Sequence, residues 1–188
     1  MNIIAFAASN SSRSINARLV SYTASLIENT HDAATVEVIG ISDYDMPIFS
    51  IDLEERDGVP AAAQAFLDKL GSADAIVISF AEHNGLYTAA YKSLFDWASR
   101  LERYVYQQKP MLLMATSPGG RGGKSVLDLA TSAAPRFGGE VIATFSLPKF
   151  TEHFDEQLEV ISDPTFNGEH REAVEALLAH LERKETSS

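Results

Sequence analysis

Three short segments of the 188-residue chain concentrate side chains able to grip a ligand. The first, Ser9-Asn10-Ser11-Ser12-Arg13-Ser14-Ile15-Asn16, carries four hydroxyls, two amides and one guanidinium. It leads into residues with helical spacing and therefore surrounds a helix N-terminus. Such an end presents unpaired N–H groups and a partial positive charge, which together bind phosphate. Ser9, Ser11, Ser14, Ile15 and Asn16 would form the cradle, with Arg13 adding charge. The same residues also satisfy a plain serine-rich turn with Ser14 as helix N-cap. No Gly-x-Gly-x-x-Gly pattern is present, so a mononucleotide phosphate fits this loop better than a dinucleotide.

The second segment is Ala81-Glu82-His83-Asn84-Gly85. Gly85 permits close backbone approach, and Asn84 offers a donor and an acceptor, which suits the polar edge of a flavin ring. Asn84-Gly85 is equally an ordinary turn signal. Glu82 is expected to act through its backbone, and His83 either stacks on a ring or faces solvent. The third segment, Thr116-Ser117-Pro118-Gly119-Gly120-Arg121-Gly122-Gly123, has four glycines in eight residues. Ser117, Pro118, Gly119 and Gly120 would let a flat ligand lie against free N–H groups. Arg121 is either a partner for nucleotide phosphates or a solvated loop charge. Gly123-Lys124-Ser125 imitates the end of a Walker A motif, but Pro118 stands where its first glycine belongs, which argues against an NTPase.

The elements that must position these loops follow from periodicity. Apolar runs at Ile3 to Ala8 and Ala75 to Phe80 mark strands buried on both faces, Met111 to Ala115 and Val141 to Leu147 read as two more strands, and Val36, Val38 and Ile39 suggest another. Helical spacing recurs at Ile15, Leu19, Tyr22 and Leu26; at Ala62, Phe66, Leu67 and Leu70; at Ala90, Leu94, Trp97 and Leu101; at Val126, Leu129, Ala130 and Ala133; and at Val174, Leu177, Leu178 and Leu181. Residues 43–58 read as a long loop, residues after Pro148 as another, and Asn167 as the cap of the last helix. Five strands alternating with helices imply a parallel sheet in the order 2-1-3-4-5, an α/β three-layer sandwich with right-handed crossovers. Ligands of such sheets sit beyond the carboxyl ends of strands 1, 3 and 4, where the three segments fall. One domain over residues 1–184 is expected, with a tail at 185–188.

Composition narrows the function. With 15 Lys and Arg against 26 Asp and Glu, the net charge of −11 is wrong for nucleic acid. The chain has no cysteine, which excludes disulfides, thiolate catalysis and iron–sulfur ligation and is compatible with a cytoplasmic location. The five histidines are scattered, so no metal is expected. No apolar run approaches a membrane span, and the N-terminus reads as a first strand rather than a signal peptide. The third helix is apolar over more than one stripe. Tyr91 and Trp97 upon it, with Tyr104, Val105 and Tyr106 beyond it, suggest a homodimer face.

At its three loops the chain resembles the NADPH-dependent FMN reductase family, which includes bacterial quinone and chromate reductases and azoreductases. The family's first loop reads roughly Gly-Ser-x-Arg-x-x-Ser-x-Asn; here Ser9, Ser14 and Asn16 match, while Ser11 occupies the arginine position and Arg13 follows two residues later. Its second loop reads Pro-Glu-Tyr-Asn-Gly and leads to Lys-Asn-x-x-Asp-Trp. Glu82, Asn84, Gly85, Lys92, Asp96 and Trp97 match, whereas Ala81 and His83 differ. The glycine-rich third loop is also typical. The resemblance implies a flavodoxin-like fold, FMN as cofactor, NAD(P)H as electron donor, a small-molecule acceptor such as a quinone, and a homodimer or homotetramer. It implies no obligatory catalytic acid or base, because the flavin carries the chemistry. The missing arginine implies weaker FMN binding, by up to roughly a hundredfold if one charge-assisted hydrogen bond is lost. A flavodoxin-like electron carrier and a flavin-binding regulatory module without turnover are the alternatives.

Overall fold

Alternating side chains of the central strands enter two cores. In β1 (Asn2–Ala8), Ile4, Phe6 and Ala8 face one side, and Ile3, Ala5 and Ala7 the other. β3 (Ala75–Phe80) is buried at every position, and β4 (Lys109–Thr116) at all but its first. Such two-sided burial explains why these strands are continuous apolar runs in the sequence. With β2 (Thr35–Gly40) and β5 (Gly139–Leu147) at the edges, a computed structural model, which describes residues 1–186, shows a parallel sheet in the order β2-β1-β3-β4-β5. One core joins it to α3 (Ala61–Gly71), α4 (Ala89–Leu101) and α5 (Lys124–Ala133). The other joins it to α1 (Ile15–Thr30) and α7 (Pro164–Glu185). This is the expected flavodoxin-like three-layer sandwich. Among the described residues no helix is long and apolar enough to cross a membrane.

The structure departs from expectation in the connections. The stretch expected as a 43–58 loop holds a 3-10 turn ending at Asp43 and a short helix, α2 (Ile51–Asp57). The Ser50 hydroxyl caps α2 by accepting from the Leu53 N–H at 3.2 Å, and Gly58 ends it at φ +77°. No residue of α2 is buried, so it leaves no apolar periodicity to read. The segment after β5 holds a single turn, α6 (Phe150–His153), and a two-stranded antiparallel ribbon of β6 (Phe154–Asp155) and β7 (Val160–Ile161). The cap of α7 is Asp163, not Asn167: its carboxylate accepts from the N–H groups of Thr165 and Phe166, and Pro164 takes the first helical position. Asn167 lies inside the helix and donates to the Tyr22 hydroxyl and the Ile161 carbonyl. α7 continues through Glu185, where the tail was expected to begin, and Ser187 and Ser188 lie outside the described residues.

The surplus apolar face expected on α4 is covered within the protomer. Tyr91, Trp97, Val105 and Tyr106 are all buried. The Trp97 indole donates to the Pro47 carbonyl at 2.7 Å and meets the Phe49 ring edge-on, so the connection before α2 closes over it. Leu101 and Tyr104 remain exposed nearby.

His170 is fully buried between the rings of Tyr22 and Phe145. Its Nε2 is 2.9 Å from the Thr23 hydroxyl, whose own proton goes to the Leu19 carbonyl. Nε2 therefore carries the hydrogen, and Nδ1 has no partner among the described residues. Burial, with a smaller contribution from Arg171, pushes the pKa down to about 4. Because the unfolded chain takes up this proton first, stability is complete above about pH 6.5 and declines as pH falls toward 4, by about 3 kcal/mol. Urea midpoints at pH 7.5 and 4.5 should show a smaller acid loss in His170→Phe than in the parent. An equal loss would show that His170 does not control it.

Candidate functional site

Parallel register sets the ends of three strands side by side, with Ala8 opposite Phe80 and Phe80 opposite Ala115. The three loops expected from the sequence therefore start at one edge, and a set of long-range hydrogen bonds joins them. The Asn16 side chain is 2% exposed; its Oδ1 accepts from the Ser79 hydroxyl at 2.7 Å and the Thr116 N–H at 3.0 Å, and its Nδ2 donates to the Thr116 carbonyl at 3.2 Å. One amide thus fastens the start of α1 to the ends of β3 and β4. The buried Thr88 hydroxyl donates to the Ala8 carbonyl and also caps α4 by accepting from the Tyr91 N–H. The Glu82 carboxylate accepts from the Val126 N–H at 3.0 Å and so caps α5 from the second loop. Phe150 and Lys149 donate backbone N–H groups to the carbonyls of Ser117 and Gly119.

The first loop is a chain of small hydroxyl turns. The Ser9 hydroxyl accepts from the Ser11 N–H, the Ser11 hydroxyl from the Arg13 N–H, and the Ser14 hydroxyl from the Ala17 N–H, each at 3.2 Å. Both expectations for Ser14 are compatible here: it is the N-cap, and its own hydroxyl proton is available to a ligand. The N–H groups of Ile15 and Asn16 have no acceptor among the described residues, which leaves two donors at the helix start. Ser11, Ser12 and Arg13 are exposed. Arg13 makes no ion pair among the described residues, whereas Arg18, one turn on, is paired with Glu156 at 2.6 Å.

The second loop is a two-residue turn closed by hydrogen bonds in both directions between His83 and Leu86. Asn84 at φ 55° and Gly85 at φ 79° fill its centre, the left-handed pair that an Asn-Gly dipeptide supplies at least strain. The side chains of His83 and Asn84 project into solvent. The Glu82 carboxylate is committed to α5. In the third loop the glycines divide into two kinds. A Cβ on Gly122 would meet the Pro148 nitrogen at 2.8 Å, and Gly122 and Gly123 both have positive φ, so these two serve the turn. A Cβ on Gly120 would meet open space and one on Gly119 only the Ser117 hydroxyl at 3.9 Å, and with Ser117 and Pro118 these glycines form a low, accessible rim. Arg121 donates to the Ser125 hydroxyl.

Sequence reasoning missed the connectors Ser79, Thr88 and Thr116, whose partners lie far along the chain. It also missed a cleft of about 320 Å³ beside Asn10, walled by Tyr44, Met46, Ala89 and Leu94. The donor set suits FMN: hydroxyls and free N–H groups at a helix start for the phosphate, and side-chain-poor backbone for a flat ring.

Residues 1–152 match the model of the NADPH-dependent FMN reductase family. A quinone reductase of Escherichia coli (strain K12) is 30% identical over 134 residues, covering 65% of this chain and 71% of that protein. An NADPH:quinone oxidoreductase of Arabidopsis thaliana is 36% identical over 90 residues, covering 48% of this chain and 44% of its own. Among solved structures, the flavoenzyme NAD(P)H:(acceptor) oxidoreductase FerB from Paracoccus denitrificans superposes with a TM-score of 0.72 at 20% identity, over 95% of this chain and 98% of FerB. The chain belongs to the NADPH-dependent FMN reductase family: it is an oxidoreductase whose cofactor is FMN and whose electrons come from NAD(P)H.

Proposed function

We propose that the FMN phosphate rests on Ser9, Ser11, Arg13, Ser14, Ile15 and Asn16. In this reading the ring lies between Glu82, His83, Asn84 and Gly85 on one side and Ser117, Pro118, Gly119 and Gly120 on the other. The enzyme reduces a small acceptor, with quinones as the class favoured by the names of its relatives. The observation that carries the reading is the hydrogen-bonded union of the three loops through Asn16, Thr88 and Glu82.

FMN, when bound, would supply the two-electron chemistry that links NAD(P)H to the acceptor. The protein supplies position. The Ile15 and Asn16 N–H groups and the Ser14 hydroxyl hold the phosphate, while Asn16 holds the loop rather than the ligand through its side chain. The low rim of Ser117 to Gly120 leaves one face for donor and acceptor to occupy in turn, which is a ping-pong sequence. Solvent can deliver protons there, so no side chain is assigned as acid or base. We place the enzyme in the cytoplasm, with which its cysteine-free composition is compatible. We also propose a homodimer paired along α4, at whose end Leu101 and, just beyond it, Tyr104 are exposed.

The purified protein with FMN should be yellow, bleach on anaerobic addition of NADPH, and regain its colour with a quinone. Initial rates with both substrates varied should give parallel double-reciprocal lines. FMN binding without bleaching would indicate a carrier or a regulatory module instead. Ser14→Ala should raise the FMN Kd roughly tenfold through loss of one hydrogen bond to a charged group. Ser11→Arg, which restores the family's arginine, should lower it by up to about a hundredfold. Titration by flavin fluorescence reads both, and unchanged Kd values would dismiss the phosphate cradle.

A further inference from the structure

Between α4 and the end of α5 lies a cavity of about 150 Å³ that the strand-end site does not use. It is lined by Tyr87, Tyr91, Phe95, Asp96, Tyr106 and Phe137, among others. None of these residues belongs to the three loops. The walls are largely aromatic: Phe95 meets Tyr91 at 6.0 Å, Tyr106 at 5.6 Å and Phe137 at 4.8 Å between ring centroids. Lys92 and Asp96, also in the lining, close on each other at 2.6 Å, so they offer an entering molecule no net charge.

The polar feature of the interior is a pair of phenols. The hydroxyls of Tyr91 and Tyr106 lie 2.6 Å apart, and the two residues are 2% and 4% exposed. Two phenols carry two protons, and a single bond between them uses one. Neither hydroxyl has another partner among the described residues. One buried donor is therefore left without an acceptor, a state that costs about 1–3 kcal/mol. Burial raises the pKa of both tyrosines, so the spare proton stays in place at neutral pH. Water that enters beside Lys92, Asp96 and Ser99, which also line the cavity, is the competitor a ligand must displace. A cavity of this size lined by apolar groups accommodates a single benzene ring.

We propose that this cavity is a second binding site, for a small neutral aromatic molecule that bears one carbonyl oxygen. The ring packs among Tyr87, Phe95 and Phe137, and the carbonyl accepts the proton that the Tyr91–Tyr106 pair leaves over. The site does not depend on the flavin reading, since it shares no residue with it.

The test uses the full chain with excess FMN and two probes of equal shape, acetophenone and α-methylstyrene, which differ in a carbonyl against a methylene. By calorimetry the parent should bind acetophenone about five- to tenfold more tightly, the worth of one hydrogen bond. Tyr106→Phe still leaves a spare proton on Tyr91 and should keep the preference. Tyr91→Phe with Tyr106→Phe removes both protons and should abolish the preference without abolishing binding. Ala133, also in the lining, offers a control: Ala133→Leu fills the space and should weaken both probes more than tenfold. A crystal with acetophenone should show it against the two phenols. No preference in the parent, loss of preference in Tyr106→Phe, or a cavity filled by water alone or by a side chain of the pairing subunit would each overturn the proposal.

Discussion

The buried amide of Asn16 is the constraint on which the site depends. It satisfies the Ser79 hydroxyl and both backbone groups of Thr116, and so holds the first turn of α1 against the ends of two strands. Its three hydrogen bonds are made in a place closed to water, where leaving any partner unmade would cost about 1–3 kcal/mol. The loops can then be polar and glycine-rich without wandering. Thr88 and Glu82 extend the same device: Thr88 caps α4 and ties it to the end of β1 through the Ala8 carbonyl, and Glu82 satisfies the start of α5 from the second loop. The proposed phosphate cradle rests on the same order: with Ser14 already capping the helix, the Ile15 and Asn16 N–H groups remain free for an anion.

The sheet was legible in the sequence because its strands are buried on both faces. Ala75 to Phe80 has no solvent side, and its expected limits are those of β3. The loops at the strand ends were legible for a related reason: once the order of strands is known, the ligand edge is known too. Apart from the start of α7, what stayed hidden lacked either a buried face or a local signal. α2 has no buried residue. The ribbon strands are two residues each, too short for any period. Asp163 followed by Pro164 is in fact a stronger helix start than Asn167, because a carboxylate cap and a proline at the first position act together.

Long-range partnerships were the least visible. Asn16 and Glu82 could be assigned to the loops at the strand ends, yet nothing near them in sequence reveals that their side chains serve Thr116 and Val126. The cover laid over the aromatic face of α4 was hidden for the same reason. Trp97 and Tyr91 are excess apolar surface only until the segment around Pro47 and Phe49, and the turn carrying Tyr106, are laid over them. An apolar helix face can thus be consumed by its own chain, and the cavity beside Phe95 is what that covering leaves unfilled.

If the first loop is a phosphate cradle, the protein must value the phosphate of its cofactor above the ring. The direct measurement is the ratio of dissociation constants for riboflavin and FMN, two ligands that differ only in that group. The free N–H groups of α1 and the Ser14 hydroxyl should favour FMN by about a hundredfold, the worth of one or two hydrogen bonds to a charged group. Equal affinity for the two would place the phosphate in solvent and contradict the account.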